Sequence, residues 1–234
     1  MTIPFYVSPE QLTKDRSDFA RAGVARGKAV VAAVVAEGIL LVTQNASQSL
    51  HKIAEIYDRI AFAGVGKYNE FEALRRAGVR YADLRGYSYD RVDVDARGLA
   101  GAYAETLGEV FTAQPKPFEV EIALAEVGAK PQADRIFRIG FDGSVWEADA
   151  FLVIGGHADE LAAALRPALA GDGGVPSLAD ALRVSATSLL RRPADGEHDP
   201  SAVDGLEAAL LDRQAPRRAF RRLAPAEIAK LTVP

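Results

Sequence analysis

The amino-acid sequence predicts an α+β fold, a four-layer αββα sandwich in which two antiparallel sheets stack between two layers of helices. Three observations indicate this fold. Strands occur in hairpin pairs, a run of four strands followed by two helices occurs twice, and 49% of the 234 residues are hydrophobic, which is enough for a large core. Each sheet needs strands from both halves of the chain. We therefore expect a single domain over residues 8–234, with a helix ahead of its first strand.

The first helix, predicted over residues 8–23, has a clear start signal and a weak apolar face. Ser8 can cap it, Pro9 takes its first position and Gln11 lies three residues after the cap, which is the pattern of a capping box. Its apolar positions are sparse, and so thin a stripe favours a helix that finds a partner at a subunit contact. The tail ahead of it, residues 1–7, is too apolar for an inert terminus and too short to fold alone.

Hairpins dominate the rest of the sequence. In the first half, strands are predicted at 29–36, 39–44, 52–56 and 59–65, and helices at 67–77 and 94–112. In the second half, strands are predicted at 118–125, 135–141, 144–147, 151–154, 206–211 and 218–223, and helices at 157–169, 178–190 and 225–231.

Local signals add four expectations to this outline. Gly78 is predicted to end the helix before it, and Asp93 to cap the next helix. Glu119 and Glu121 alternate with apolar residues, which predicts a strand with one solvent-exposed face. Residues 192–204 are rich in proline, glycine and charge, and we expect a mobile loop there.

Composition excludes several classes of function. The chain has 28 lysines and arginines and 32 acidic residues, which gives a net charge of −4. This negative charge is a poor match for a nucleic-acid partner. The absence of cysteine removes disulfides, cysteine-ligated metals and a thiol nucleophile, and it suits the cytoplasm. The longest apolar run, residues 29–36, is too short to cross a membrane. The three histidines show no paired spacing, so we expect no metal and no cofactor.

Sandwiches of this architecture include hydrolases whose nucleophile is the Thr, Ser or Cys that begins the first core strand, with its own amine as base. The corresponding residues here, Gly27-Lys28-Ala29, contain none of the three. Thr2 cannot serve, because a whole helix separates it from that strand. We therefore expect no catalytic residue in this chain.

Two other motifs have ordinary structural explanations. The Gly64-Val65-Gly66-Lys67 step lacks the further residues of a phosphate-binding loop and is interpreted as a tight strand-to-helix turn. The basic run at 217–222 is interpreted as the solvated face of a terminal strand or a contact with a neighbouring subunit.

Five separated sequence motifs occur in an order that is typical of one protein family. They are FYVSPEQ at 5–11, IYDRI at 56–60, GKYNEF at 66–71, RYADLRGYSYDR at 80–91 and PRRAFRR at 216–222. On these blocks the chain resembles the α-type subunit of the proteasome core particle in its actinobacterial form, a non-catalytic member of the Ntn-hydrolase fold. The resemblance covers essentially the whole chain.

The resemblance implies a structural and gating role. In this family, α-type subunits form seven-membered outer rings over inner rings of β-type subunits, and the β-type subunits carry the catalytic Thr. An Asp and a Lys that support this Thr correspond here to Gln44 and Lys52, so one of three groups is retained. The particle degrades unfolded protein substrates that a ring-shaped ATPase delivers, and that ATPase binds the outer ring by its C-terminal tail.

The resemblance also implies site residues. A lysine at the position of Lys52 receives the activator's terminal carboxylate, Gly66 matches the glycine of close approach in that pocket, and Arg26 is a neighbour that adds positive charge. Leu12 and Phe19 become contacts with the adjacent subunit of the ring.

The family's N-terminal tails converge on the ring axis and close the pore. The gate residues would be Thr2, Ile3, Pro4, Phe5, Tyr6 and Val7, followed by the turn at Ser8 and Pro9. Archaeal-type subunits carry Tyr-Asp-Arg just before this turn, whereas this chain has Phe5-Tyr6-Val7.

Two alternatives belong to other classes. One is an Ntn-type hydrolase with an unrecognised nucleophile, which would cleave peptides alone. The other is an anion-binding module that uses the basic run at 217–222 and would bind nucleic acid with a steep salt dependence.

Overall fold

A computed structural model describes residues 8–47, 49–171, 173–190 and 205–232. The helices are α1 (Pro9–Ala25), α2 (Tyr68–Ser88), α3 (Ala96–Ala113), α4 (Ala158–Leu169), α5 (Leu178–Leu190) and α6 (Pro225–Thr232). The strands are β1 (Val30–Val35), β2 (Gly38–Gln44), β3 (Ile53–Tyr57), β4 (Ile60–Gly66), β5 (Val120–Glu126), β6 (Arg135–Ile139), β7 (Val145–Ala148), β8 (Phe151–Ile154), β9 (Leu206–Asp212) and β10 (Phe220–Arg222).

The strands form two antiparallel sheets. The first has the order β10-β9-β2-β1-β8 and the second the order β3-β4-β5-β6-β7, so both draw strands from both halves of the chain. One apolar cluster fills the space between the sheets, with members from β1, β2 and β9 on one side and β4, β5 and β6 on the other. A second cluster lies between the first sheet and α4, α5 and α6, and a third between the second sheet and α2 and α3. The predicted αββα sandwich is therefore confirmed.

The helix α1 contacts this sandwich through a narrow face. Only Ala20, Gly23 and Val24 are buried. The Arg16 guanidinium donates to the carbonyl oxygens of Phe111 and Thr112 at 2.9 Å, and so ties α1 to the end of α3. The helix thus lies ahead of β1, as predicted, with most of its surface exposed.

One half of the predicted capping box forms. The Ser8 hydroxyl oxygen accepts from the Gln11 amide at 3.2 Å. The Gln11 side-chain oxygen does not accept from the Ser8 amide, and the Gln11 side-chain amide donates to Asp15 at 2.6 Å.

The prediction that Gly78 ends a helix is wrong. The helix α2 continues through it to Ser88. A Cβ atom at Gly78 would lie 1.9 Å from the hydroxyl oxygen of Tyr103, and that hydroxyl donates to the Leu74 carbonyl at 3.1 Å. The glycine therefore serves the close packing of α2 on α3 rather than helix termination.

The predicted cap of α3 is displaced by two residues. Asp93 belongs to a turn of 3₁₀-helix, and α3 begins after Asp95. The Asp95 carboxylate accepts from the Gly98 amide at 2.7 Å, which satisfies one of the free amides of the first turn.

The exposed face predicted for β5 is also wrong. Glu121 is 5% exposed and Glu119 is 6% exposed. The Glu121 carboxylate accepts from Arg138 at 2.5 Å and from the Gly155 amide at 2.8 Å. A buried carboxylate is tolerated here because β6 and the residue after β8 supply its partners.

Candidate partner-docking site

Lys52 lies where three segments of the sandwich meet. It directly precedes β3, and its ammonium donates to the Lys28 carbonyl at 2.9 Å, just ahead of β1. The Gly64 amide, in β4, donates to the Lys52 carbonyl at 3.0 Å. The side chain is thus fixed at the end of the sandwich where β1 begins and β4 ends.

The start of the first core strand offers no nucleophile. Lys28 stands there, between the end of α1 and Val30, the first residue of β1. Gln44 ends β2. The retained Lys52 therefore faces a backbone carbonyl in place of a hydroxyl that it could activate.

Two glycines pack closely against neighbouring atoms at this end of the sandwich. Gly66 has a φ of +107°, and a Cβ atom there would lie 1.8 Å from the Glu119 carbonyl oxygen. A Cβ atom on Gly27 would lie 2.4 Å from a methyl carbon of Val65. The backbone of Gly66 therefore approaches the backbone of Glu119, and Gly27 packs against the Val65 side chain, more closely than a residue with a side chain could.

Arg26 lies at the same end of the molecule but is already paired. Its guanidinium donates to the buried Glu119 carboxylate at 2.9 Å, while three-quarters of its side chain is exposed. Lys116 holds the other carboxylate oxygen at 3.0 Å. Glu119 also connects to the glycine step, because its carbonyl accepts from the Lys67 amide at 2.9 Å. The structure thus brings Arg26 and Gly66 together through Glu119.

Burial changes the ionisation of Lys52. It lowers the pKa of the ammonium to about 8, an effect that the negative charge of Glu207 opposes and the positive charge of Lys28 reinforces. The group is mostly protonated at neutral pH and loses its charge above about pH 8. One fixed ammonium suits a single carboxylate at the end of a chain.

An open cavity of about 560 Å³ adjoins this surface on the side of α4. Arg26, Gly27 and Lys28 form the wall that it shares with the Lys52 surface, and Gln44, His157 and Leu161 lie among its other lining residues. Within the described ranges, no three His, Asp or Glu side chains are grouped so as to hold a metal ion. None of the described helices is both long and apolar enough to traverse a bilayer.

The other predicted site residues fall into two groups. Ser8, Pro9, Leu12 and Phe19 lie along α1, where Leu12 is 48% and Phe19 47% exposed. Thr2, Ile3, Pro4, Phe5, Tyr6 and Val7 lie outside the described residues, as does the predicted loop 192–204.

The arginines of the basic run face acids of the same chain. Arg218 pairs with Glu55 at 2.6 Å, and Arg221 pairs with Glu227 at 2.8 Å. Arg222 donates to Glu207 at 2.5 Å. Internal pairing of this kind argues against a surface built to neutralise phosphates.

Sequence reasoning missed Glu207 and the role of Glu119. A signal for Glu207 was present, because one glutamate interrupts the otherwise apolar residues 206–211. A lone acid in a buried strand indicates a partnered carboxylate.

Comparison with known proteins agrees with this fold. A family model described as "Proteasome subunit" matches residues 24–184, and the chain belongs to the proteasome subunit family. Within this family, the chain is similar to proteins called "Proteasome subunit alpha". The one from Sanguibacter keddieii is 58% identical over 228 residues, which cover 96% of this chain and 87% of that protein.

Two further relatives carry the same name. The protein from Pseudarthrobacter chlorophenolicus is 56% identical over 99% of this chain and 99% of its own length. The protein from Kineococcus radiotolerans is 55% identical over 99% of this chain and 98% of its own length. The resemblance to the actinobacterial α-type subunit predicted from the sequence is confirmed.

Proposed function

We propose that this chain is a non-catalytic subunit of the outer ring of a proteasome core particle. Seven copies form the ring, β-type subunits lie beneath it and carry the catalytic Thr, and a ring-shaped ATPase docks on it from outside. The particle works in the cytoplasm and degrades unfolded proteins in an ATP-dependent manner. The chain itself controls the entry of unfolded proteins and docks the ATPase. It needs no cofactor.

The observation that carries this proposal is the contact between Lys52 and Lys28. The ammonium lies at 2.9 Å from the carbonyl of Lys28, just ahead of the first core strand, where a hydrolase of this architecture needs a hydroxyl. Lys52 in this setting has a positive charge that can attract a partner, and it has no nucleophile beside it to activate.

The helix α1 supplies contacts between copies in the ring, and the tail ahead of it supplies the gate. Leu12 and Phe19 are about half exposed, which suits a contact with the neighbouring copy in the ring. The tail 1–7 leads directly into the exposed turn at Ser8 and Pro9, so that movement of this turn by a docked activator would move the gate.

The test uses the core particle assembled by co-expression with its β-type partner. The probe is a fluorescent peptide with the last eight residues of the ring-shaped ATPase from the same organism, with a free or an amidated C-terminus. We expect the free acid to bind more tightly than the amide, and Lys52→Ala to abolish this difference.

Lys130→Ala is the matched control, because Lys130 is an exposed lysine whose side chain makes no capping bond to the 3₁₀ turn that follows it. We expect it to bind the free acid as the unaltered particle does. Equal binding of acid and amide by the unaltered particle would contradict docking at Lys52.

A further inference from the structure

Glu207 is a buried carboxylate at the start of β9 whose partners lie mostly outside its own sheet. It is 7% exposed. It accepts from the backbone amides of Lys52 at 3.0 Å and Ile53 at 3.1 Å, and from the Asn45 side chain at 2.7 Å. Arg222 completes the set with a bond at 2.5 Å. One carboxylate thus joins β9 of the first sheet to the beginning of β3 in the second.

The same contacts shape the segment that carries Lys52. Asn45 donates to Glu207 and also to the Leu50 carbonyl at 2.8 Å, so that it folds the chain back between β2 and β3. Arg222 donates to the Ile53 carbonyl at 2.8 Å. The position and direction of the backbone at Lys52 are therefore fixed by four groups. They are two successive backbone amides, the side-chain amide of Asn45 and the guanidinium of Arg222.

The charges around Lys52 come from four segments. The negative charge of Glu207 faces it from β9, and Lys28 faces it from the residues ahead of β1. His51 precedes it in the chain, with its Nδ1 atom 3.5 Å from Glu207, and Arg222 of β10 shares the Glu207 carboxylate. Within the described ranges, Glu207 is the acid that favours the protonated form of Lys52 against the desolvation that disfavours it.

We propose that Glu207 is a positioning residue for partner docking, which holds the backbone of Lys52 in place and sets a buried negative charge beside its ammonium. This inference rests on the proposed docking of a carboxylate at Lys52. It assigns Glu207 a second effect that a purely structural link between sheets would not have, namely an effect on the pH at which docking is lost.

The matched control is the link at the other end of the same strand. Arg213 follows β9 directly and pairs with the buried Asp134 carboxylate, at 2.6 Å. About six residues of strand separate the two links, roughly 20 Å. Both Glu207→Gln and Asp134→Asn remove one buried negative charge and keep the shape of the side chain, but only the first lies beside Lys52.

The experiment measures binding of the free-acid ATPase peptide to the assembled particle as a function of pH. For Glu207→Gln we expect about 5–10-fold weaker binding at neutral pH, and a midpoint of the alkaline loss lower by about half to one pH unit. For Asp134→Asn we expect lower thermal stability and an unchanged midpoint. Weaker binding of Glu207→Gln with an unchanged midpoint would overturn the electrostatic part of the inference, and unaltered binding would overturn it entirely.

A second variant keeps the inference testable where Glu207→Gln fails to assemble. Arg222→Gln removes a cation that competes for the Glu207 carboxylate, so we expect the midpoint to move upwards. A downward or absent shift would contradict the inference. Equal binding of acid and amide by the unaltered particle is a different outcome, because it would contradict the proposed docking itself rather than the role of Glu207.

Discussion

Lys52 differs from an ordinary surface lysine because its ammonium is drawn inward, against the carbonyl of Lys28, and partly desolvated. Its pKa falls to about 8 as a consequence. A group with a lowered pKa is charged below that value and neutral above it. Between pH 7 and about 9 the attraction for a carboxylate therefore declines, whereas an arginine, which stays protonated, would show no such decline.

We accordingly expect Lys52→Arg to bind the free-acid ATPase peptide with an affinity that is flat between about pH 7 and 9. The unaltered particle loses affinity over the same interval because Lys52 deprotonates. Fluorescence polarisation across a pH series measures both curves. The same alkaline decline in both proteins would show that some other group titrates.

Gly66 illustrates how a residue of the site is fixed by the backbone. Its φ is +107°, and the 1.8 Å that would separate an added Cβ atom from the Glu119 carbonyl oxygen leaves no room for a side chain. For Gly66→Ala we expect a loss of about 1–3 kcal/mol from the backbone conformation alone. Gly101→Ala is the control, because Gly101 lies in α3 with open space around it, and it is expected to gain up to about 1 kcal/mol.

Denaturant titration of the two glycine variants measures both effects. A Gly66→Ala protein as stable as the unaltered chain would contradict the close approach of Gly66 to Glu119.

At the scale of elements, the first turn of α1 depends on its N-terminal cap, because the buried residues of this helix, Ala20, Gly23 and Val24, all lie in its second half. Loss of the Ser8 hydroxyl leaves the Gln11 amide without its partner, at a cost of about 1 kcal/mol. We expect Ser8→Ala to speed hydrogen exchange in the first turn of α1.

Ser177→Ala provides the comparison, since Ser177 accepts from the Asp180 amide at the start of α5. We expect that variant to leave exchange in α1 unchanged. Equal protection of α1 in Ser8→Ala and in the unaltered chain would mean that packing, rather than the cap, sets the stability of its first turn.

The comparison of sequence with structure is clearest for elements. The hairpins were predictable because apolar runs and turn residues are local signals, as in 29–36 and 39–44. Gly78 was misread because its purpose depends on Tyr103 of another helix. The burial of Glu121 could not be predicted, because its partner Arg138 comes from the neighbouring strand β6.

The site followed the same rule. Lys52, Gly66 and Arg26 were predicted only through a resemblance, because their proximity arises from three separate segments. The pairing of Arg26 with Glu119 and the four bonds to Glu207 depend on side chains brought together by the stacking of two sheets. No local pattern encodes such contacts.

At the scale of the whole molecule, the tail 1–7 controls passage through the ring in the proposed function. We expect a particle whose α-type chains lack residues 1–7 to hydrolyse small peptides faster, since the β-type sites are unchanged and the barrier ahead of them is removed. A chain with the same number of Gly-Ser residues in place of 1–7 separates loss of length from loss of apolar side chains. An unchanged rate in the truncated particle would remove the gate from the proposal.

The division of labour between the two kinds of subunit is open to one direct measurement. The assembled particle is treated with a threonine-directed covalent inhibitor, and the intact mass of each subunit is then determined. Because Lys28 stands where the nucleophile would be, we expect the adduct on the β-type subunit alone and the unaltered mass for this chain. An adduct on this chain would contradict its non-catalytic role.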